Sequence, residues 1–355
     1  MSTKWTSWGG LPLRGPAAGL SGRAAQQRLV HPAWFFRIFL TESKSSGELT
    51  TIVGHSMTHA RRVLLTHAHP DDESSSTGGT IAKYVAEGAQ VTVVTCTRGE
   101  QGKIAVAELA HLAADQQDLL GGRRSDELAG ALTALKVTDH RYLGGEGCYR
   151  DSGRMGAPSN DRAGAFWHAD VEVAGAQLAA VIREVRPQVV VTYDPNGGYG
   201  HPDHIQSHRV TMRGVELAAD PEAAAGGGAW DVSRIYWCAV PRELIQNDLV
   251  TLKSLESNPA DMWVDTDVRE YPDGVHDDGE ITTEIDVGGH FEAKRRALAA
   301  HQTQLTVHGD LWVLASGRGM HIQRREWFIL VKGALGPVGP GGLETDLFAG
   351  LADDE

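Results

Sequence analysis

From residue 61 onward the apolar positions of this chain switch between continuous β-branched runs and a helical period. The run at 63–66 predicts a strand, and 79–87 a helix that Gly88 ends. Gln-Val-Thr-Val-Val-Thr at 90–95 reads as a buried strand. Helical spacing follows at 106–120 and again at 125–135, with Gly121-Gly122 between the two. Ser125 opens the second of these, and Asp126 and Glu127 suit its first turn. Residues 140–143 form a short strand pattern, 144–169 a polar Gly-rich loop, and 171–185 a helix that Pro187 forces to break. A strand at 188–192 and a helix at 203–218 complete the rhythm. This βαβα alternation with β-branched strands predicts an α/β, Rossmann-like, mainly parallel sheet with helices on both faces. In such sheets sites form in the loops at the carboxyl ends of strands.

After Ala219 the pattern loosens. Residues 221–228 are an Ala/Gly linker, 233–238 and 281–285 look like strands, and 289–304 like a helix with Glu292, Lys294, Arg295 and Arg296 on its wet face. A last strand is expected at 327–331 and a frayed acidic tail at 352–355. Residues 1–56 hold no period of 2 or 3.6 and are a basic stretch rich in Gly, Ser, Trp and Arg. The expected organisation is a disordered leader at 1–56, a metal-binding catalytic domain at 57–220, and a C-terminal lid region at 221–355 that completes the same unit. Folding is expected to start near Met57, with the leader arising from a misplaced start codon.

The composition narrows the function classes. The 355 residues are 41% hydrophobic and 22% charged, with a net charge of −13, which disfavours a nucleic-acid or anionic-membrane surface. No apolar run approaches the roughly 20 residues of a membrane span, and no secretion signal is apparent. Cys96, Cys148 and Cys238 show no CxxC spacing, so a reducing cytoplasm is the simplest setting. Oligomeric state leaves no trace in the sequence.

Two stretches carry the chemistry. Leu64-Leu65-Thr66-His67-Ala68-His69-Pro70-Asp71-Asp72-Glu73 and Val191-Thr192-Tyr193-Asp194-Pro195-Asn196-Gly197-Gly198-Tyr199-Gly200-His201-Pro202-Asp203-His204 share one plan, a short strand running into a His-Pro-Asp loop. Two imidazoles and a carboxylate are a common zinc set with an open position for water. His69 and Asp72 are three apart at a strand end entering a helix, and His204 supplies a third ligand from the other loop. Asp71 then stands beside the ligands as general base toward water on the ion. His201, if protonated, would stabilise an oxyanion or protonate the leaving amine. Asp203 could orient a histidine through its ring N–H. Tyr199, in a Gly-flanked loop, is either an oxyanion contact or a surface aromatic. Arg124 and Asp151 are either exposed charges or the polar contacts of a polyhydroxylated substrate. The competing reading of each His-Pro-Asp is turn and helix-start chemistry alone. Two copies at two strand exits argue against it.

These residues resemble a known family. His67-Ala-His-Pro-Asp-Asp-Glu73 with Gly200-His-Pro-Asp-His204 is similar to the LmbE-like zinc-dependent N-deacetylases. Asp118-Leu-Leu-Gly-Gly, Tyr142-Leu-Gly-Gly, Arg150-Asp-Ser-Gly, Ala299-Ala-His-Gln-Thr-Gln304 and Glu344-Thr-Asp-Leu-Phe-Ala-Gly-Leu351 extend the likeness over about residues 61–351. Within the family they resemble the mycothiol-biosynthetic branch, which removes acetate from N-acetylglucosaminyl-inositol (GlcNAc-Ins). The resemblance implies one zinc per subunit, with iron as the alternative in the cell, on His69, Asp72 and His204, and Asp71 as base. It also implies His201 as acid or oxyanion group, Tyr199 as a mobile oxyanion contact, and Arg124 and Asp151 as substrate contacts. The competing branch, the mycothiol S-conjugate amidases, is associated with a lysine soon after the acidic motif, whereas residues 74–79 read Ser-Ser-Ser-Thr-Gly-Gly. The segment 101–106, Gln-Gly-Lys-Ile-Ala-Val, is less acidic than the pattern and bears on substrate preference. A non-catalytic sugar-binding module is the alternative of a different class. It would not need an acidic cluster beside two histidines.

Overall fold

This computed structural model describes residues 61–223, 228–255, 262–264 and 274–351. The expectations for 1–56 and for the tail at 352–355 lie outside the described residues, as does part of the 221–228 linker. The strands are β1 (Arg62–His67), β2 (Gln90–Thr95), β3 (Asp139–Tyr142), β4 (Val189–Thr192), β5 (Arg234–Pro241), β6 (Val275–His276), β7 (Thr283–Asp286), β8 (Leu305–His308), β9 (Leu311–Leu314), β10 (Gly319–His321) and β11 (Arg325–Lys332). The helices are α1 (Asp72–Ser76), α2 (Gly78–Ala86), α3 (Leu120–Leu135), α4 (Val171–Val185), α5 (Gly197–Gly200, a kinked single turn), α6 (Pro202–Ala219), α7 (Arg242–Lys253) and α8 (Phe291–Ala300).

One sheet runs β3-β2-β1-β4-β5-β11-β7, with β6 paired to β5. β3, β2, β1, β4 and β5 are mutually parallel; β11 and β7 add antiparallel strands at one side. Alternation along each strand explains the layers. Val63 and Leu65 of β1 and Val189 and Val191 of β4 face one core with Ile81 and Tyr84 of α2, Leu128 and Leu132 of α3 and Ala297 of α8. Leu64 and Val190 face the opposite core with Leu178 and Ile182 of α4 and Val210 and Val215 of α6. Both faces are covered, so the strands read as continuous apolar runs. β1 and β4 are direct neighbours, with Leu65 opposite Val191, although more than a hundred residues separate them. The chain turns outward in both directions from this pair, and the crevice at its carboxyl end is the topological switch point.

Four expectations need correction. The helix at 106–120 is one 3-10 stretch, Ala107–Leu112, with no buried residue. Helical spacing alone does not hold a segment that finds no surface to bury against. Gly121-Gly122 does not separate two helices, since α3 runs through both from Leu120. Gly121 is there for close approach: a Cβ on it would lie 2.7 Å from the Glu100 side chain. The last helix is shorter than 289–304 and stops at Ala300. Lys294 is not on its wet face but buried, with Nζ 2.7 Å from Glu326 Oε1. Glu326 also accepts the N–H groups of Gly79 and Thr80 at the start of α2, so a β11 carboxylate serves a helix N-terminus and a buried cation together.

The second half divides its work. β5, β6, β7 and β11 extend the main sheet, while β8, β9 and β10 form a separate antiparallel sheet. Trp312, Leu314 and Met320 of the small sheet border the cleft above the strand ends.

Candidate metal centre and active site

β1 ends at His67, and the chain turns through Ala68, His69 and Pro70 into α1. Asp71 occupies the turn with φ 116°, a left-handed value for a residue that is not glycine. Such a backbone costs about 1–3 kcal/mol and persists where the surroundings over-determine it. The second loop leaves β4 at Thr192, passes the kinked turn at 197–200, and enters α6 with His201 as its N-cap and Pro202 in its first turn.

The two loops place the expected donors together. Asp72 Oδ2 lies 3.4 Å from His69 Nδ1 and 3.6 Å from His204 Nε2. The same oxygen accepts the His69 backbone N–H at 2.8 Å and the Tyr193 hydroxyl at 2.7 Å. On the far side of its ring, His69 Nε2 is 3.2 Å from Asp203 Oδ2, whose position the Ser152 N–H fixes at 2.8 Å. A carboxylate behind a ligand histidine sets its tautomer, leaving Nδ1 to face Asp72. His204 Nε2 is buried and has no hydrogen-bond partner, while a hydrogen bond from its ring to the Gly197 backbone occupies the other nitrogen. A buried ring nitrogen left with a free lone pair beside a carboxylate and a second imidazole fits a divalent cation. Among the described residues, His69 also groups with His201 and His204, and with Asp151 and Asp203, within 4.8 Å. Neither of those groups contains Asp72, and the Nδ1 of His201 is engaged, accepting the Asp203 N–H at 3.2 Å.

That bond decides how His201 can act. With Nδ1 accepting, the proton sits on Nε2. Burial, and then the neighbouring His69 and His204, push the ring down to about 2. Both effects favour the neutral ring, whereas the sequence alone allows a protonated one. Asp71 moves the other way. Burial raises it to about 6 against the pull of Arg124, whose Nη2 is 3.1 Å from Asp71 Oδ2. Asp72 is held well below its usual range; burial opposes this, but the His204 and His69 rings outweigh it.

The other expected residues line the same cleft of about 660 Å³. Tyr199 is 48% exposed, its ring centroid 6.0 Å from that of His201 and 5.2 Å from that of His204. Arg124 is not an exposed charge: it is buried beneath Asp71 and donates to Gly99 O at 2.8 Å and to Pro70 O. Asp151 is buried too, its oxygens accepting from the Gly153 N–H at 2.7 Å and the Gln101 N–H at 2.9 Å.

Residues 64–215 match the family described as PIG-L: GlcNAc-PI de-N-acetylase. The 1D-myo-inositol 2-acetamido-2-deoxy-alpha-D-glucopyranoside deacetylase 1 of Catenulispora acidiphila is 53% identical over 297 residues, 83% of this chain and 91% of that protein. The correspondingly named deacetylase of Thermobispora bispora is 53% identical over 82% of this chain and 99% of its own length. The chain belongs to the PIG-L, LmbE-like N-deacetylase family. It is a hydrolytic N-deacetylase, with a candidate His/Asp metal site. The fold agrees with the solved N,N'-diacetylchitobiose deacetylase of Pyrococcus horikoshii, at 18% identity, a TM-score of 0.50, and coverage of 80% of this chain and 88% of that one.

Several residues of this deacetylase site escape a reading of the sequence. Tyr193 donates to Asp72, accepts the Ala68 N–H at 2.9 Å, and stacks on His204 with ring centroids 4.3 Å apart. Its one signal is its place directly after the strand that delivers the second loop. Glu73 accepts the Asp71 N–H at 2.9 Å and pairs with His301 at 2.8 Å. Nothing in the spacing connects residues 73 and 301. Asp194 folds the 196–198 turn by accepting the Asn196 and Gly198 N–H groups, and its other oxygen is 3.0 Å from His276 Nε2 of β6. His67, at the end of β1, is buried, 3.0 Å from Thr77 Oγ1.

Proposed function

We propose that this chain hydrolyses the acetamide of 1-D-myo-inositol 2-acetamido-2-deoxy-alpha-D-glucopyranoside, GlcNAc-Ins, giving GlcN-Ins and acetate in mycothiol biosynthesis. The observation that carries the reading is the meeting of His69, Asp72 and His204 at the mouth between β1 and β4, with Asp71 beside them in the cleft. The names of relatives at 53% identity supply the substrate. His69, Asp72 and His204 are the residues to hold one zinc, or iron in the cell. When bound, such an ion acts as a Lewis acid and lowers the pKa of water to about 7.

The protein's own groups do the rest. Asp71, raised to about 6, is ionised at neutral pH yet basic enough to take a proton from the attacking water. His201, neutral with its proton on Nε2, donates to the amide oxygen as charge develops there. Tyr199 closes over the same oxygen from its Gly-flanked turn. The proton gained by Asp71 then goes to the leaving nitrogen. Asp203 fixes the His69 ring. Arg124 and Asp151 border the sugar side of the cleft, Arg124 while pairing with Asp71. Cys96, Cys148 and Cys238 form no disulfide, as a reducing cytoplasm allows.

The test is release of primary amine from GlcNAc-Ins by zinc-reconstituted protein, with a chelated control. Metal-dependent release is expected. Asp71→Ala should retain metal and lose turnover by about 10²–10⁴-fold. Loss of metal in that variant would remove Asp71 from its role. Leu298, Trp312, Leu314 and Met320 give the cleft an apolar wall that a bulkier acyl group could meet. An inert GlcNAc-Ins with a hydrolysed S-conjugate would therefore transfer the assignment to the conjugate amidase.

A further inference from the structure

Asp71 acts from a backbone that side-chain-bearing residues rarely adopt, so its conformation must be held from outside. Its amide N–H is donated to Glu73 Oε2 at 2.9 Å. Glu73 Oε1 accepts from Ser74 Oγ at 2.5 Å and lies 2.8 Å from His301 Nε2. Glu73, Ser74 and His301 are all fully buried. Neither Glu73 nor His301 lines the cleft, and neither lies in a donor group around His69. A buried charged pair is a poor source of stability compared with an apolar one of similar volume. What this pair does in the structure is fix one amide. His301 directly follows α8 and reaches Glu73 from 228 positions away, so the second half of the chain acts on the turn through it.

We propose that Glu73 and His301 are positioning residues for the deacetylation. His301 orients the Glu73 carboxylate, Glu73 holds the Asp71 amide, and the Asp71 carboxylate is thereby aimed at the reacting centre. This rests on Asp71 being the base. Asp72, one residue further on, is held independently by Tyr193 and the His69 amide, so the pair acts on the base without acting on the metal site.

The experiment compares metal-loaded wild type, His301→Ala, His301→Gln, Glu73→Gln, Asp71→Ala and the Asp71→Ala/His301→Ala double variant, with kinetics, metal content and crystal structures. His301→Ala should lower kcat about 10- to 100-fold, leave KM within about twofold and keep full metal stoichiometry. His301→Gln, which restores an N–H donor, should recover most of the loss. In the Asp71→Ala background the His301 change should have no further effect, since its route to the chemistry is already gone. In the His301→Ala structure Asp71 should leave its left-handed φ or lose the bond to Glu73. An unmoved Asp71, loss of metal, wild-type kcat, or an equal fold-loss in both backgrounds would each overturn the proposal. If His301→Ala does not fold, Glu73→Gln carries the same expectations and the same overturning results. A wild type that releases no amine would count against the substrate assignment alone, because the Asp71 geometry in the variants still decides the pair.

Discussion

At the scale of single residues the site depends on which atom of each group is already engaged. Asp72 presents one oxygen to two imidazoles because Tyr193 and the His69 amide hold it there. Tyr193→Phe keeps the ring stack on His204 but removes that donor. It should weaken metal binding about 10- to 100-fold in a chelator competition, with little change in the melting temperature. Asp71 shows the opposite tension, a group held where it is reactive and uncomfortable. Its folded value, about 6, lies above the unfolded 3.8. Its contribution to stability is therefore present in full below about pH 4 and lost as pH rises through 6. Asp71→Asn cannot ionise. Metal-free Asp71→Asn should melt above metal-free wild type at pH 8 and level with it at pH 4, while turnover is lost. A scan showing no difference at pH 8 would mean the carboxylate is not strained in this way.

At the scale of elements, both functional loops are short exits from adjacent parallel strands, and each contains an unusual backbone, at Asp71 in one and at Gly197 in the other. Gly197 has φ 61°, and a Cβ there would meet Ile205 N at 2.5 Å and His204 Cβ at 2.6 Å. The turn lies on the first residues of α6, so there is no room for a side chain. Gly197→Ala should push His204 out of place. Metal affinity should fall at least tenfold and the protein should lose about 1–3 kcal/mol, read by chelator competition and thermal melting. The helix at 106–120 teaches the complementary lesson. Its spacing was helical, but no neighbour offered it a face, and only a 3-10 turn remains. Gly121-Gly122, which reads as punctuation, lies inside α3, where its small size lets the helix approach Glu100.

At the scale of the whole molecule the late strands are built into the early fold. β11 lies between β5 and β7, and its Glu326 caps α2 while neutralising the buried Lys294 of α8. Glu326→Ala would strand one buried cation and two helix N–H groups together. A loss of about 3–5 kcal/mol is expected, seen as a lower melting temperature of the metal-free protein. A loss below about 1 kcal/mol would show that Lys294 finds another partner or reaches water.

The sequence by itself determined the parallel strands, the helices that cover them, the two His-Pro-Asp loops and the identity of the residues they carry. All of these are local: period, turn chemistry and adjacent acids are read within a few positions. Only the tertiary structure decided what joins distant segments. The direct pairing of β1 with β4 puts Asp72 against His204. A bond from the Asp203 amide engages His201 Nδ1. Burial places Arg124 beneath Asp71 and Lys294 against Glu326. His301 comes to stand behind Glu73. Each is an electrostatic or hydrogen-bond partnership across long sequence separations. Its strength comes from exclusion of water, and burial is a property that no single segment possesses until the others have packed around it.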